Sequence, residues 1–358
     1  MRKTKTLFEF NHKSYKIKNL KKPVVLLLGP TASGKTDLAL NLYSEIPIEI
    51  ISVDSVMVYK DFNLGSAKPS LEILNKYPHH LIDVLTPESI YTASDFVQDA
   101  IRLIEEAHQK GKLPVLVGGS MMYFQSLLKG LDDLPTRNDH FREEMKAIKK
   151  SKGINVLFNE LKLKDPDYAN TLKENDSQRI IRALEIIHFS KKSLSSQLGR
   201  FSNNSSLDGY HVIQLGIFPK DRKLLHKRIE MRLEKIIDDG LVDETKKIIQ
   251  TYNIKNDHPA LKAINYKQAL SFINNEYDNE TLFLKALYAT RQFAKRQVTW
   301  MRSWDNLELF DINEGQKILK MIKIPKVNNE YNRKSFNDCF NVSALLKDIK
   351  LVKDFLKL

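Results

Sequence analysis

A short stretch near the start of the chain, which we call the phosphate loop, has the residue types that bind phosphate. It consists of Gly29, Pro30, Thr31, Ala32, Ser33, Gly34, Lys35 and Thr36. The two glycines let the backbone curl until successive amide groups point at an anion, Lys35 adds a positive charge, and the Thr36 hydroxyl can hold Mg²⁺. A chance glycine turn is the competing interpretation, but an apolar run precedes the loop and helical spacing follows it. The loop therefore predicts a site for a di- or triphosphate without identifying which one.

Two further apolar runs end in polar side chains. Asp54 follows the run 48–53, and Ser120 follows the run 113–117 and two glycines. Because ligands bind at the carboxyl ends of strands in an open α/β sheet, we expect both side chains to face the phosphate loop. The alternatives are that Asp54 only caps the next helix and that Ser120 only begins the helix from Met121.

The alternation of strand-like and helix-like segments predicts an α/β fold, in which a parallel sheet of the P-loop kinase-like type is flanked by helices. Further short strands are predicted at 81–85, 211–217 and 307–310, and further helices at 91–108, 221–239 and 281–300. Thr92 or Ser94 is placed to cap the helix at 91–108.

Composition changes near residue 132, and from there to about residue 206 the chain is helical, strongly charged and without a convincing strand. We therefore predict a basic lead-in at 1–22, a catalytic core at 23–134 and 209–325, an all-helical insertion at 135–208, and a tail of unknown role at 326–358. The tail contains one plausible helix, at 342–358.

Two pairs of arginines have helical spacing. Arg179 and Arg182 are three residues apart within the insertion, and a solvated face without a ligand is the alternative interpretation. Arg228 and Arg232 are four residues apart, so their guanidinium groups can hold phosphate oxygens together. They could equally pair with a nearby acid such as Glu230 or Glu234.

The formal net charge of +13 favours a polyanionic partner such as a nucleic acid, although lysine can also accumulate through composition alone. The single cysteine, Cys339, excludes an internal disulfide and a cysteine-cluster zinc site. No apolar run is long enough to span a bilayer and no secretory leader is evident, so we expect a cytoplasmic protein without a membrane partner. We also expect it to act as a monomer.

Taken together, six motifs spread over most of the chain resemble the tRNA dimethylallyltransferase family in its bacterial form. They are Gly29 to Thr36, Ile51 to Ser55, Gly65 to Pro69, Gly118 to Ser120, Arg179 to Glu185, and Ala289 to Gln297. Members of this family transfer the dimethylallyl group of dimethylallyl diphosphate to N6 of adenosine 37, beside the tRNA anticodon. The resemblance implies that the phosphate loop holds the donor's diphosphate with Mg²⁺, rather than ATP.

The resemblance also assigns roles to individual positions. Asp54 becomes the general base, Arg232 contacts the diphosphate, and Ser120 stands where the family usually has threonine. Positions that match segments contacting the anticodon stem-loop are Asp54, Ser55, Val56, Met57, Ser120, Arg142, Gln178, Arg179, Ile180, Ile181, Arg182, Lys262, Ala263, Ile264, Asn265, Tyr266 and Lys267.

The chain departs from the family pattern at two further places, where Asn265 and Lys191 each replace a usual glycine. Asparagine is the next best residue at positive φ, so we expect the turn at Asn265 to survive.

Two other functions are compatible with a phosphate loop. A small-molecule or nucleotide kinase would use the same loop and sheet for ATP, but it has no obvious need for a basic helical insertion. A non-catalytic, GTP-dependent RNA-binding factor would need an Asn-Lys-x-Asp segment, which the sequence lacks.

Overall fold

The computed structural model describes residues 22–198, 205–315 and 317–318. Nearly all of the predicted lead-in, the predicted tail and part of the polar tract near residue 203 lie outside these described residues. The chain divides into two compact units, one formed by Met1–Phe124 with Gly209–Leu358 and the other by Gln125–Asp208. None of the described helices is both long enough and apolar enough to cross a bilayer.

The first unit is built on a six-stranded parallel sheet. In chain order the strands are β1 Pro23–Leu28, β2 Ile48–Val53, β3 His79–His80, β4 Leu113–Gly118, β5 His211–Phe218 and β6 Glu308–Asp311. Their order across the sheet is β3-β2-β4-β1-β5-β6, and every neighbouring pair is parallel. The predicted parallel α/β sheet flanked by helices is therefore confirmed.

Burial explains why the central strands have nearly continuous apolar sequences. Residues 24–28 of β1 are 0% exposed, because helices cover the two faces of a parallel sheet and leave no place for a polar side chain. The order β2-β4-β1 also places the carboxyl ends of three neighbouring strands at one edge of the sheet. Asp54, Ser120 and the phosphate loop follow directly from these three ends.

Eight helices are described that begin in the first unit. They are α1 Lys35–Glu45, α2 Leu71–Lys76, α3 Ala93–Gln109, α4 Met121–Lys129, α9 Arg222–Asp238, α10 Leu241–Thr251, α11 Tyr266–Ile273 and α12 Asn279–Arg302. Thr92 caps α3, because its hydroxyl accepts a hydrogen bond from Asp95 N while the Asp95 carboxylate accepts one from Thr92 N.

The strand predicted at 81–85 is wrong. Leu81 and Asp83 have φ values of +62° and +54°, which no strand contains, and the edge strand of the sheet is His79–His80 instead. The segment is a turn held by distant partners, since Lys68 Nζ pairs with Asp83 Oδ1 at 2.5 Å and Asp83 N donates to Met57 O at 3.1 Å.

The second unit contains the helices α5 Asp139–Lys152, α6 Ile154–Lys164, α7 Pro166–Ala169 and α8 Ser177–Ser190, and its described residues form no strand. The insertion was predicted to begin at 135, whereas this unit begins earlier, at Gln125, which lies within α4. Lys191 ends α8 in the left-handed conformation, with φ of +58°.

Candidate active site

The phosphate loop has the backbone conformation that an anion site requires. Ala32 and Gly34 have φ values of +61° and +84°, and the loop closes through a hydrogen bond from Ser33 N to Pro30 O of 3.2 Å. It runs directly into α1, whose N-cap position is Gly34 and which has no side-chain cap. The first amide groups of α1 are therefore available to an anion at the positive end of the helix dipole.

Three cationic side chains lie in or beside this loop: Lys35, Arg228 and Arg232. A Cβ built on Gly34 would lie 3.7 Å from Arg228 Nη1, and the charges of Arg228 and Arg232 both act on the Asp37 carboxyl at the start of α1. Burial, reinforced by the charge of Arg232, lowers the pKa of Lys35 to about 8. Cations held this close repel one another, so the arrangement favours a ligand with several negative charges.

Arg228 and Arg232 of α9 do not pair with Glu230 or Glu234, which was the alternative interpretation. Glu230 pairs with Arg291 at 2.9 Å instead. Neither Arg228 nor Arg232 forms an ion pair with a carboxylate of the described residues. Both guanidinium groups are therefore available to bind a phosphate, as predicted from their spacing.

Asp54 lies at the end of β2, where its carboxylate fixes a turn. Its Oδ1 accepts hydrogen bonds from Val56 N at 2.8 Å and Met57 N at 3.1 Å. No helix follows within this turn, so the alternative role as a helix cap is wrong. Burial raises the pKa of Asp54, against the opposing effect of the two amide hydrogen bonds. The other carboxylate oxygen has no hydrogen-bond partner among the described residues.

Ser120 begins the chain segment that leads into α4, as one alternative predicted, and it also borders the site. Its carbonyl accepts from Tyr123 N at 2.9 Å, and its own amide donates to Val53 O at 3.3 Å. The ends of β2 and β4 approach this closely only because residue 118 is glycine, since a Cβ there would collide with Val53 O.

A cleft of about 510 Å³ in the first unit joins these groups. Its polar part is lined by Lys35, Thr36, Asp37, Asp54 and Arg232, and Ser120 borders it. Apolar side chains line another part; they include Leu40, Ile73, Ile82 and Phe293. The cleft thus combines an anion site and a half-buried carboxylate with apolar lining side chains.

Several predicted nucleic-acid contacts also line this cleft, namely Ser55, Val56, Met57, Lys262, Ala263, Ile264 and Asn265. Asn265 has φ of +75°, so the expected turn survives, and its Nδ2 donates to Gly65 O at 2.9 Å. Tyr266 is 0% exposed and donates its hydroxyl proton to Glu244 at 2.7 Å, so its side chain cannot contact RNA as predicted. Lys267 is exposed.

The predicted contacts in the second unit separate into exposed and buried residues. Gln178 and Arg179 are exposed. Ile180 and Ile181 belong to the core, so their side chains cannot contact RNA.

The alternative of an ordinary solvated face does not hold for Arg182, which is paired within the unit. Its Nη1 lies 2.5 Å from Oε2 of Glu185, a fully buried carboxylate that Arg142 also binds through two hydrogen bonds of 2.9 and 2.7 Å. Burial acts to raise the pKa of Glu185, but hydrogen bonds from Arg142, Asn138 N and Arg182 hold it below its usual value. Arg142 and Arg182 therefore stabilise this unit from within.

The donor set of the cleft fits Mg²⁺ held jointly with phosphate. No group of three potential His, Cys, Asp or Glu ligands occurs among the described residues. However, Mg²⁺ in phosphate sites takes one or two protein oxygens and completes its shell with phosphate oxygens and water. The Thr36 hydroxyl and the Asp37 and Asp54 carboxylates line the same polar part of the cleft.

Sequence reasoning assigned no role to Gln297, although the residue lies in one of the quoted motifs. It is 4% exposed, and its side-chain amide forms hydrogen bonds with both the phosphate loop and Gly119. A polar residue on the inner face of a long amphipathic helix was the available signal.

The fold and cleft define an α/β protein with a polyphosphate site at the carboxyl edge of a parallel sheet, and known proteins share this arrangement. The model of the IPP transferase family matches residues 57–304. The tRNA dimethylallyltransferase 2 of Hahella chejuensis is 38% identical over 307 residues, which is 83% of this chain and 92% of that protein.

Solved structures agree. The tRNA isopentenylpyrophosphate transferase of Bacillus halodurans has a TM-score of 0.62 at 31% identity, covering 84% of this chain and 96% of its own. A eukaryotic dimethylallyltransferase acting on tRNA has a TM-score of 0.67 at 25% identity, and the match covers 81% of this chain and 74% of that chain. The chain therefore belongs to the IPP transferase family and is an enzyme of prenyl transfer, which confirms the resemblance and disfavours the kinase.

Proposed function

We propose that the protein transfers the dimethylallyl group of dimethylallyl diphosphate to N6 of adenosine 37 in tRNA and releases diphosphate. The observation that carries this proposal is the cleft, in which the phosphate loop and its cations share one space with the half-buried carboxylate of Asp54. Prenyl transfer to an amine needs both: a place for a diphosphate leaving group and a base for the amine proton.

Asp54 is the base in this proposal. The exocyclic amine of adenine is a poor nucleophile because its lone pair is delocalised into the ring, so removal of a proton as the C–N bond forms lowers the barrier. The carboxylate oxygen of Asp54 that is free of the turn takes this proton. The raised pKa of Asp54, which follows from its burial, makes the carboxylate a better proton acceptor than an exposed aspartate.

The phosphate loop and its cations act on the leaving group. As the C–O bond of the donor breaks, negative charge grows on the diphosphate, and the positive charges of Lys35 and Arg232, together with the uncapped α1 amide groups, oppose that charge. When bound at the Thr36 hydroxyl, Mg²⁺ would supply further positive charge to the diphosphate.

The acceptor reaches this cleft only as an unstacked base, because an adenine within a stacked anticodon loop is inaccessible. Lys262 and Arg296 are exposed and border the cleft, so they are placed to contact the backbone of the flipped nucleotide. Gln178 and Arg179, which are exposed on the second unit, remain candidates for contacts elsewhere on the tRNA.

The test is transfer of radiolabelled dimethylallyl diphosphate to an unmodified anticodon stem-loop, run beside an ATP phosphorylation assay. We expect label in the RNA with adenosine at position 37 and none when guanosine replaces it. Lys35→Ala should abolish transfer while leaving the mobility shift of the RNA intact, because Lys35 lies in the anion loop. Consumption of ATP without prenyl transfer would overturn the proposal.

A further inference from the structure

The side-chain amide of Gln297 connects two parts of the cleft that no other side chain joins within the described residues. Its Oε1 accepts a hydrogen bond of 2.9 Å from Thr31 N in the phosphate loop. Its Nε2 donates a hydrogen bond of 2.9 Å to Gly119 O, directly before Ser120. Gln297 is 4% exposed, so water does not compete for either bond.

Local sequence is adapted to this bridge. A Cβ at residue 119 would collide with Gln297 Nε2, so the glycine lets the amide approach the backbone. Beyond Gln297, the loop and the end of β4 are joined by one backbone hydrogen bond, from Gly29 N to Gly118 O at 3.3 Å. That bond is long, and it lies at the start of the loop rather than beside the anion site.

The bridge also starts from the helix that supplies one wall of the cleft. Thr290, Phe293, Arg296 and Gln297 of α12 all line the cleft. The phosphate loop, which holds the leaving group, and the end of β4, which lies beside the acceptor, are therefore both attached to α12 through Gln297.

We propose that Gln297 is a positioning residue, which fixes the separation between the phosphate loop and the Ser120 end of β4 so that donor and acceptor meet at reacting distance. The inference rests on the proposed prenyl transfer. It concerns geometry rather than affinity, because Gln297 bonds to the backbone of the loop and its bonds do not involve the ligand. A misplacement of about 1 Å at reacting atoms can cost about 10²-fold in rate.

Two substitutions separate positioning from packing. Gln297→Met keeps the volume and burial but removes both hydrogen bonds. Gln297→Glu keeps the acceptor for Thr31 N but, when ionised, cannot donate to Gly119 O. The carboxyl regains this donor when it is protonated, and burial raises the pKa of a carboxyl. Gln292→Met, at an exposed position of the same helix, is the matched control.

Steady-state transfer would be measured with anticodon stem-loop RNA and dimethylallyl diphosphate between pH 6 and 8, together with melting curves. We expect Gln297→Met to lower kcat by about 10- to 100-fold with KM for both substrates changed by less than about threefold, and Gln292→Met to behave as wild type. The ratio of kcat for Gln297→Glu to wild-type kcat should rise as the pH falls, since Asp54 and Lys35 titrate in both proteins and cancel in the ratio.

Wild-type kcat in Gln297→Met would overturn the inference. So would a ratio for Gln297→Glu that stays constant with pH while the melting temperature falls, because that pattern belongs to a structural role. If Gln297→Met does not fold, the pH dependence of Gln297→Glu still decides. Wild-type protein without transfer activity would refute the proposed function, and the inference with it, whereas active wild type with unaffected variants refutes the role of Gln297 alone.

Discussion

Replacing Asp54 by asparagine removes proton acceptance while preserving the local turn. The Oδ1 of either side chain can accept the hydrogen bonds from Val56 N and Met57 N, which are 2.8 and 3.1 Å long in the structure. Only the second oxygen changes, from a carboxylate oxygen to an amide nitrogen that carries its own protons. Asp54→Asn should therefore fold normally and bind both substrates.

The expected loss is that of a general base. Such groups contribute about 10²- to 10⁴-fold in rate, which corresponds to about 3 to 5 kcal/mol of transition-state stabilisation. Because burial raises the pKa of Asp54, the wild-type carboxylate takes up its proton at a higher pH than an exposed aspartate would. Wild-type activity should accordingly fall on the acid side of the profile, and the residual activity of Asp54→Asn should lack this acid limb.

Single-turnover transfer rates, measured over a Mg²⁺ series and accompanied by melting curves, separate this role from its rivals. A Mg²⁺ ligand would give weakened donor binding that excess Mg²⁺ partly restores, and a purely structural residue would give a lowered melting temperature with the rate preserved. Asp243→Asn is the control, since this carboxylate is 86% exposed and does not line the cleft. A near-wild-type single-turnover rate in Asp54→Asn would refute its role as the base.

Three other predictions follow from charge and backbone conformation. Because the pKa of Lys35 is lowered to about 8, its charge is lost as the pH rises past that value, so calorimetric affinity for diphosphate should fall between pH 7 and 9. Lys35→Arg should flatten this dependence, and equal slopes would contradict the assignment. Glu185→Gln leaves two arginines without their shared buried counter-charge and should cost about 3 kcal/mol in urea unfolding, whereas the exposed Glu174→Gln should cost almost nothing. Asn265→Ala should be less stable than Asn265→Gly by about 1 kcal/mol, since only glycine adopts φ of +75° without strain; equal stabilities would refute this reasoning.

The sequence predicted best what is encoded locally. The central strands have continuous apolar runs because both faces of the sheet are covered, and each run ends at a residue type suited to a ligand. Because parallel strands end at one edge of a sheet, the sequence alone was enough to place Asp54, Ser120 and the phosphate loop together. The same local signal failed at 81–85, where the apolar spacing resembles a strand but the distant ion pair of Lys68 with Asp83 fixes a turn.

Partners distant in sequence account for the other differences. Helical spacing placed Arg179 and Arg182 near one another, but it could not show that Arg182 and Arg142 share the Glu185 carboxylate, since Arg142 is 43 positions away from Glu185. Gln297 and Thr31 are separated by 266 positions, so their hydrogen bond has no local signature at all.

The order of the strands in the sheet sets the distance between the phosphate loop and Asp54. The phosphate loop follows β1 and Asp54 follows β2, and β4 lies between them, so the two groups begin about 10 Å apart at about 4.8 Å per strand. An amine nitrogen held about 3 Å from the proposed base and a near-attack distance of about 3.3 Å between amine and carbon use about 6 Å of this span. The remainder matches the ester oxygen and the first phosphorus of a diphosphate, so the proposed base and leaving group, placed two strands apart, suit the proposed donor. The intervening strand β4 ends at Gly118 and is followed by Gly119, and a Cβ would collide with Val53 O at the first position and with Gln297 at the second.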